Sequence, residues 1–216
     1  FLVAADTACS KGDFPVATVE AMRPRPHQVA TEVVQMIGGV GNPTAQVSAT
    51  RLITRFSEIT GGEAKYLASP GLFANKSARD AIFNDYYIQE VVADWESLTT
   101  ALVGIGALDP SPLLAKSGNS FKSDDQKELK SKGAVGDICL HYFDKNGKSI
   151  SSALSSRTLG ISASTFRKIP RRVGVAGGMK KLDAIRAALK GGWVNVLITD
   201  SQIAAALMEE KVRGKK

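Results

Sequence analysis

Val33-Val34-Gln35-Met36-Ile37, running into Gly38-Gly39-Val40-Gly41-Asn42-Pro43, decides how this chain is read. A short run of mostly apolar residues bounded by a glycine cluster has the length and composition of a buried strand. The pattern then changes to helical spacing. A helix is predicted from Thr44 to about Thr60, with Val47, Leu52, Ile53 and Phe56 as its apolar stripe and Gly61-Gly62 as its stop. Strand, glycine turn and helix make one βα unit, and the rest of the chain repeats the arrangement.

Lys65 to Ala68 reads as the next strand, with helical segments over Ser77–Asn84 and Tyr87–Trp95. Thr100 to Gly106 is apolar throughout, as central strands of a parallel sheet are. The alternation then breaks. Asp109 to Phe121, rich in Pro, Ser and Gly, is a long loop, and Ser123 with Gln126 forms a capping box for a polar helix reaching Lys132. Val135–Phe143 and Ser149–Leu154 flank Asp144-Lys145-Asn146-Gly147, whose Asn-Gly pair signals a hairpin. Arg172–Ala176 and Val194–Ile198 are further strands, separated by a helix over Lys180–Leu189 that Gly191-Gly192 ends. A last helix starts after Asp200-Ser201 and runs to about Glu210. The expected fold is α/β: a doubly wound, mostly parallel sheet with helices on both faces and a small β-hairpin flap, residues 1–216 forming one domain.

Composition removes several classes. The 216 residues carry 28 Lys+Arg against 21 Asp+Glu, and 44% are hydrophobic, an ordinary globular balance. Cys9 and Cys139 are the only cysteines and lie in no metal-binding spacing, which argues against a disulfide framework and a structural zinc site, and reduced thiols in the cytoplasm are expected. No apolar run approaches the ~18 residues of a membrane span. The positive charge concentrates from Thr165 to Lys216, with 12 Lys+Arg and 4 Asp+Glu. No aromatic residues interleave these cations as a single-strand platform requires, so a basic helix face is favoured over a nucleic-acid surface. The chain opens on Phe1 without Met and reads as part of a longer protein.

In such a sheet, ligands bind beyond the carboxyl ends of the strands. Those ends are rich in glycine: Gly39 and Gly41 with Asn42 and Gln46, then Gly104 and Gly106, then Gly177 and Gly178, followed by Asp200. Glycine lets main-chain N–H groups approach a ligand, and a following helix N-terminus adds partial positive charge. Gly177-Gly178-Met179-Lys180-Lys181 joins both features to cationic side chains and is the best phosphate cradle, with solvated surface lysines as the alternative. Gly104 and Gly106 are either ligand contacts or packing glycines. Asp137 is either a hydroxyl acceptor and general base or a cap, and Arg157 either a bidentate anion clamp or an ion-pair partner. Neither GxGxxG nor GxxxxGK[ST] is present, which argues against a dinucleotide site and a Walker-type NTPase. His27 lies in a Pro-rich connector and His141 among apolar neighbours, so no acid–base pair is legible and no cofactor or metal is expected.

The ordered motifs Gly38–Pro43, Leu102–Gly106, Gly133–Cys139, Arg157–Ile161, Ile169–Arg171, Val175–Gly178, Ala184–Leu189 and Asn195–Asp200 resemble the effector-binding domain of SorC-type bacterial sugar-responsive transcription regulators, over about Val33 to Leu207. The resemblance implies a fold similar to sugar-phosphate isomerases, a phosphorylated-sugar effector, a homodimer or homotetramer, and operator DNA bound through an N-terminal helix-turn-helix. Nothing before Val33 has room for that segment, so this chain is not expected to bind operator DNA alone. The family's glycine-containing strand and its Thr or Ser loop are not evident upstream, where Lys11-Gly12-Asp13-Phe14-Pro15-Val16 stands. Ser156 and Met179 occupy positions where the family often carries acids. The reading is therefore a non-enzymatic sensor, with an isomerase or deaminase on the same scaffold, or a lysine Schiff-base sensor through Lys181, as the alternative.

Overall fold

A computed structural model describes residues 2–5, 14–24, 26–39, 43–108 and 122–213. Strands β1 (Leu2–Ala5), β2 (Glu32–Gln35), β3 (Glu63–Lys65) and β4 (Thr100–Gly104) open a large sheet. Strands β5 (Gly106–Ala107), β6 (Ala134–Ile138) and β7 (His141–Asp144) form a separate small one, and β8 (Arg171–Val175) and β9 (Val196–Ile198) return to the first. The large sheet runs β3-β2-β1-β4-β8-β9 and is parallel at every pairing. Counted along the chain, this is the order 3-2-1-4-5-6. The direction of winding reverses between β1 and β4, which marks the carboxyl ends of those strands as the place for a ligand.

Adjacent residues on one strand face opposite sides, so a strand covered on both faces must be apolar at every position. Val33 and Leu102, with Val173 and Val175, pack under α1 (Phe14–Ala21) and α2 (Pro43–Thr60) against Val19, Leu52, Ile53, Phe56 and Ile59. Their neighbours Val34, Ala101 and Val103 join the opposite core. There α4 (Tyr86–Asp94), which follows α3 (Lys76–Phe83), supplies Ile88 and Val91, and the helices 182–190 and 201–213 supply Ile185 and Ile203. Each fully buried Val, Leu, Ile or Phe among them contributes roughly 1.5–3 kcal/mol relative to exposure. Helices thus cover both faces, as expected.

Several local expectations give way. The largest is β1: Leu2–Ala5, which the sequence reading left without a strand, lies at the centre of the sheet and stands upstream where the family's strand was not evident. Val47 is exposed rather than part of the α2 stripe, and Ile59 completes the buried face instead. The second predicted strand, Lys65–Ala68, is replaced by Glu63–Lys65. The ladder stops because the buried Gln35 carboxamide takes over: its Oε1 accepts from Leu67 N–H at 3.1 Å and its Nε2 donates to Ile37 O at 2.7 Å. The 100–106 strand divides at Ile105, and Gly106-Ala107 leaves for the small sheet. The final strand begins at Val196 rather than Val194, whose side chain is buried in the core. The helix at 123–131 is closed by Asp125, which accepts from Lys122 N–H at 2.7 Å, rather than by Ser123 with Gln126.

The hairpin differs most in its turn. β6 and β7 pair antiparallel, but Cys139-Leu140 turns between them with both residues at positive φ, 51° and 61°. The Asn-Gly turn lies one strand later and returns the chain through the single pair Phe143 and Ser149, not through a strand over Ser149–Leu154. It does not stand free. Gly147, at φ 74°, abuts Gly191 so closely that a Cβ there would meet Ala187 O at 2.3 Å and Gly191 Cα at 2.4 Å. Trp193 Nε1 donates to Gly147 O at 2.8 Å, and Ile138, Leu140 and Phe143 are in the main core. The small sheet is built into the domain. The loop 109–121 lies outside the described residues, as does Cys9.

The Gln35 junction generates a stability test. Gln35→Leu keeps the volume and leaves Leu67 N–H and the Ile37 carbonyl without this partner, each costing about 1–3 kcal/mol. Urea unfolding should show that loss with an unchanged m-value, and a variant as stable as the parent would remove the junction role.

Candidate functional site

The carboxyl edge of β4, β8 and β9 is where the sequence-predicted residues converge. Gly104 ends β4 opposite Val175, the last residue of β8. Two residues on, Gly106 pairs with Asp137. A Cβ at Gly106 would lie 2.1 Å from Asp137 Oδ1, so a side chain there would displace the carboxylate that lies over the glycine. Gly106 thus makes room for an acid rather than for a ligand. Asp137 is half-buried, and its Oδ2 accepts from Leu140 N–H at 3.2 Å across the Cys139-Leu140 turn.

β5 lies beside the short 3-10 turn Met179–Lys181, which follows β8. Gly178 precedes that turn at φ 88° with open space around it, and Lys181, half-buried, starts the helix Leu182–Lys190. Asp200, at the end of β9, ties this loop down. Its Oδ2 accepts from Gly178 N–H at 2.7 Å and its Oδ1 from Ile203 N–H at 2.9 Å, so it also caps the helix Ser201–Arg213. These main-chain donors, Ile203 first and Gly178 next, hold its carboxyl below the usual carboxylate range. Gly104, Gly106, Asp137, Gly177, Gly178, Lys181 and Asp200 therefore share one edge of the molecule. Beside Asp200, Thr199 has a buried hydroxyl without a hydrogen-bond partner among the described residues, a feature that no motif in the sequence announced.

Gly39 and Arg157 lie elsewhere. β2 is separated from β4 by β1, and Gly39 is buried with both its polar groups engaged: its N–H donates to Ser69 O at 2.8 Å and its carbonyl accepts from Gly71 N–H at 2.7 Å. Gly41 and Asn42 lie outside the described residues, and Gln46 is in the second turn of α2. Arg157 is 6% exposed, paired with Asp125 and donating from Nη1 to Phe73 O at 2.9 Å. Its guanidinium is held by the protein interior, so the ion-pair alternative describes it and the clamp does not. Asp125 was invisible as its partner because 32 residues separate them.

His141 is likewise structural. Its Nε2 lies 2.7 Å from Ile161 O, its ring stacks 6.1 Å from Trp193, and burial pushes its pKa below the usual 6.5. His27 is exposed in the connector before β2. Among the described residues no group of His, Cys, Asp or Glu is arranged to hold a metal ion, and no helix is long and apolar enough to cross a membrane.

A parallel sheet with a 3-2-1-4-5-6 order, covered by helices on both faces, defines an α/β domain whose carboxyl edge gathers Asp137, Lys181 and Asp200. The chain matches the sugar-binding domain family over residues 8–209 and belongs to it. The deoxyribonucleoside regulator of Bacillus subtilis is 33% identical over 191 residues, 88% of this chain and 60% of that protein. The sorbitol operon regulator of Klebsiella pneumoniae is 31% identical over 143 residues, 65% of this chain and 44% of that protein. The chain thus spans 44–60% of the length of these two curated relatives. Among solved structures, full-length SorC from Klebsiella pneumoniae matches with a TM-score of 0.83 and 24% identity over 95% of this chain and 64% of that one. A transcriptional regulator from Streptococcus pneumoniae TIGR4 also gives 0.83, at 27% identity over 97% and 78%. The resemblance read from the motifs is borne out.

Two tests follow from these contacts. Asp125→Ala leaves the Arg157 guanidinium buried without its carboxylate and should cost about 3–5 kcal/mol, whereas Asp125→Leu combined with Arg157→Met should recover most of it. Equal stability of the single variant and the parent would exclude a structural pair. His141 binds its proton less readily folded than unfolded, so its contribution is present above pH 6.5 and is lost as pH falls through the lowered folded value. The stability difference between the parent and His141→Asn should therefore shrink below pH 6.5, and a pH-independent difference would refute burial as the cause.

Proposed function

We propose that this chain is the effector-sensing domain of a sugar-responsive transcription regulator. A phosphorylated sugar binds at the carboxyl edge, and its binding controls operator-DNA affinity through a DNA-binding segment of the full-length regulator. The observation that carries the reading is the Gly177–Lys181 turn. An open glycine at positive φ, its N–H held by Asp200, precedes a turn that brings the half-buried Lys181 to the start of a nine-residue helix, a cationic side chain that suits an anion. Asp137, fixed over Gly106, and Asp200 supply acceptors for sugar hydroxyls. Thr199 is a further candidate, because a buried hydroxyl without a partner favours a ligand that pairs with it.

The names of the relatives support a regulator rather than an enzyme. The placement of the histidines supports it too, since His141 is engaged by a main-chain carbonyl and, among the described residues, no histidine accompanies Asp137. The same reading includes a sheet of the sugar-phosphate isomerase kind, a cytoplasmic location and a homodimer or homotetramer. Arg157 acts in it as a positioning residue, joining the 157–161 segment to Phe73 and Asp125.

Thermal melting of the domain against pentose and hexose phosphates, each beside its free sugar, tests the proposal. A phosphosugar at 100 times its Kd should stabilise by about 2.7 kcal/mol, and Lys181→Ala should weaken binding while leaving the unliganded melting temperature unchanged. Equal affinity in the variant would remove the phosphate cradle. Silence across the whole panel would sink the phosphosugar reading.

A further inference from the structure

The excess of cations after Thr165 is not used up at the carboxyl edge. Arg167, Arg172 and Lys190 gather instead around Trp193 and the Asn146-Gly147 turn. There Asn146, Lys148 and Ser149 face Arg167, on the short helix Ala163–Lys168, across a shallow depression of about 610 Å3. None of the residues gathered around Gly178 and Asp137 lines it. Its acceptors are already engaged. Gly147 O accepts from Trp193 Nε1 at 2.8 Å and from Arg167 Nη2 at 3.2 Å, and Asn146 Oδ1 accepts from Lys190 Nζ at 2.7 Å. The helix Leu182–Lys190 ends here, but Ala187 O, Ala188 O and Leu189 O accept from the N–H groups of Gly191, Trp193 and Gly192. Asp144 is folded back into the turn, its Oδ1 accepting from Asn146 N–H at 2.8 Å and Lys148 N–H at 3.0 Å. Among the described residues, no carboxylate lines the depression.

Donors are what remain. Neither Lys148 nor Arg167 is ion-paired with a carboxylate among the described residues, and Asn146 Nδ2 and the Ser149 hydroxyl add neutral donors. The Ser164 hydroxyl is turned instead to Ser162 Oγ, at 2.9 Å. Arg167 is held in place, its Cζ 4.3 Å from the centroid of the Trp193 ring and its Nη2 on Gly147 O, which leaves Nε and Nη1 on a fork already set. The turn that carries Lys148 is equally firm, because Gly147 abuts Gly191. Behind them Arg172 spends its guanidinium on three main-chain carbonyls, and burial, then the charge of Arg167, lower its pKa. A fixed guanidinium beside an ammonium, with no acid between them, selects an oxyanion that offers several acceptor oxygens. We infer that this depression is a second ligand site and that it takes a phosphoryl group, as inorganic phosphate or on a phosphate ester. The site does not rest on the Gly178 reading. An anion held here ties the hairpin turn to helix 163–168 over Gly191, at the far end of the helix that Lys181 begins.

Inorganic phosphate and glycerol 3-phosphate are the probes, titrated into the domain at constant ionic strength with sodium chloride as the reference. The readout is the indole N–H resonance of Trp193, which is bonded to Gly147 O, with that of Trp95, bonded to Gln35 O, as the internal control. At least one probe should shift the Trp193 resonance saturably, and the tighter of the two names the source of the phosphoryl group. Lys148→Gln, at an exposed position, should weaken binding about tenfold, the loss of one charge-assisted contact. Arg167→Lys, which keeps the charge and loses the fork, should weaken it several-fold, and Lys181→Ala should leave it unchanged. No saturable shift up to millimolar concentration overturns the inference, as does full affinity in both Lys148→Gln and Arg167→Lys. Phosphosugar melting on the same samples separates the two sites. A chain with a Lys181-dependent phosphosugar response and no Trp193 shift loses this site alone. One with the Trp193 shift and no Lys181-dependent response loses the Gly178 reading alone.

Discussion

The buried carboxamide of Gln35 is the constraint on which the architecture turns. A parallel ladder must end somewhere, and where strands diverge, their N–H and C=O groups lose partners while still out of reach of water. Gln35 sits at that point on β2. Its side chain joins Leu67 N–H to Ile37 O, and its own main-chain carbonyl accepts from Trp95 Nε1 at 3.1 Å. One residue therefore satisfies the exit of β3, the start of the glycine loop and the indole that anchors the end of α4. Because those groups are paired, the chain after Ile37 can leave the sheet and run beside 69–71 and 158–161 as short bridged segments. The loops at the carboxyl edge are thus ordered by side-chain chemistry as much as by the sheet.

That organisation separates two layers of residues around the edge. Asp137, Gly178, Lys181 and Asp200 stand at the rim, with Asp137 and Asp200 accepting main-chain N–H groups there. Behind them, Arg157 with Asp125, His141 with Ile161 O, and Gly147 against Gly191 are closed arrangements within the protein. Removing one member of such a pair is costly because the other is left buried, even where the pair itself adds little net stability. Asp200 bridges the layers. It holds the Gly178 N–H and caps the last helix, so an anion that competes for that N–H also acts on the first turn of helix 201–213.

The periodic parts of this fold were legible. The βα alternation, the C-terminal stop of α2 at Gly61 and the convergence of the later glycine loops all follow from local spacing, and Gly61 does adopt φ 74°. What was not legible has a long-range cause. β1 is four residues, too short for periodicity to mark, and its place in the sheet comes from pairing with β2 and β4. Arg157 looked like a free cation because Asp125 is distant in sequence. Asn146-Gly147 carries the usual hairpin signal, yet the β6–β7 turn falls on Cys139-Leu140, since burial of Leu140 in the core overrides turn propensity. The resemblance pointed to the right family, but it did not distinguish rim residues from interior ones.

The Cys139-Leu140 turn has an implication for how a ligand is met. Two side chains with a Cβ hold left-handed backbone there, a conformation costing about 1–3 kcal/mol for each residue. Both are almost completely buried, so the cost is offset by packing that only this geometry permits. Asp137 lies at the start of the same turn and accepts the Leu140 N–H. Its carboxylate is thus held by a turn that the hydrophobic interior fixes. In the function proposed above, a ligand would pay no ordering entropy for that acceptor, and selectivity there would rest on a template made rigid by the core.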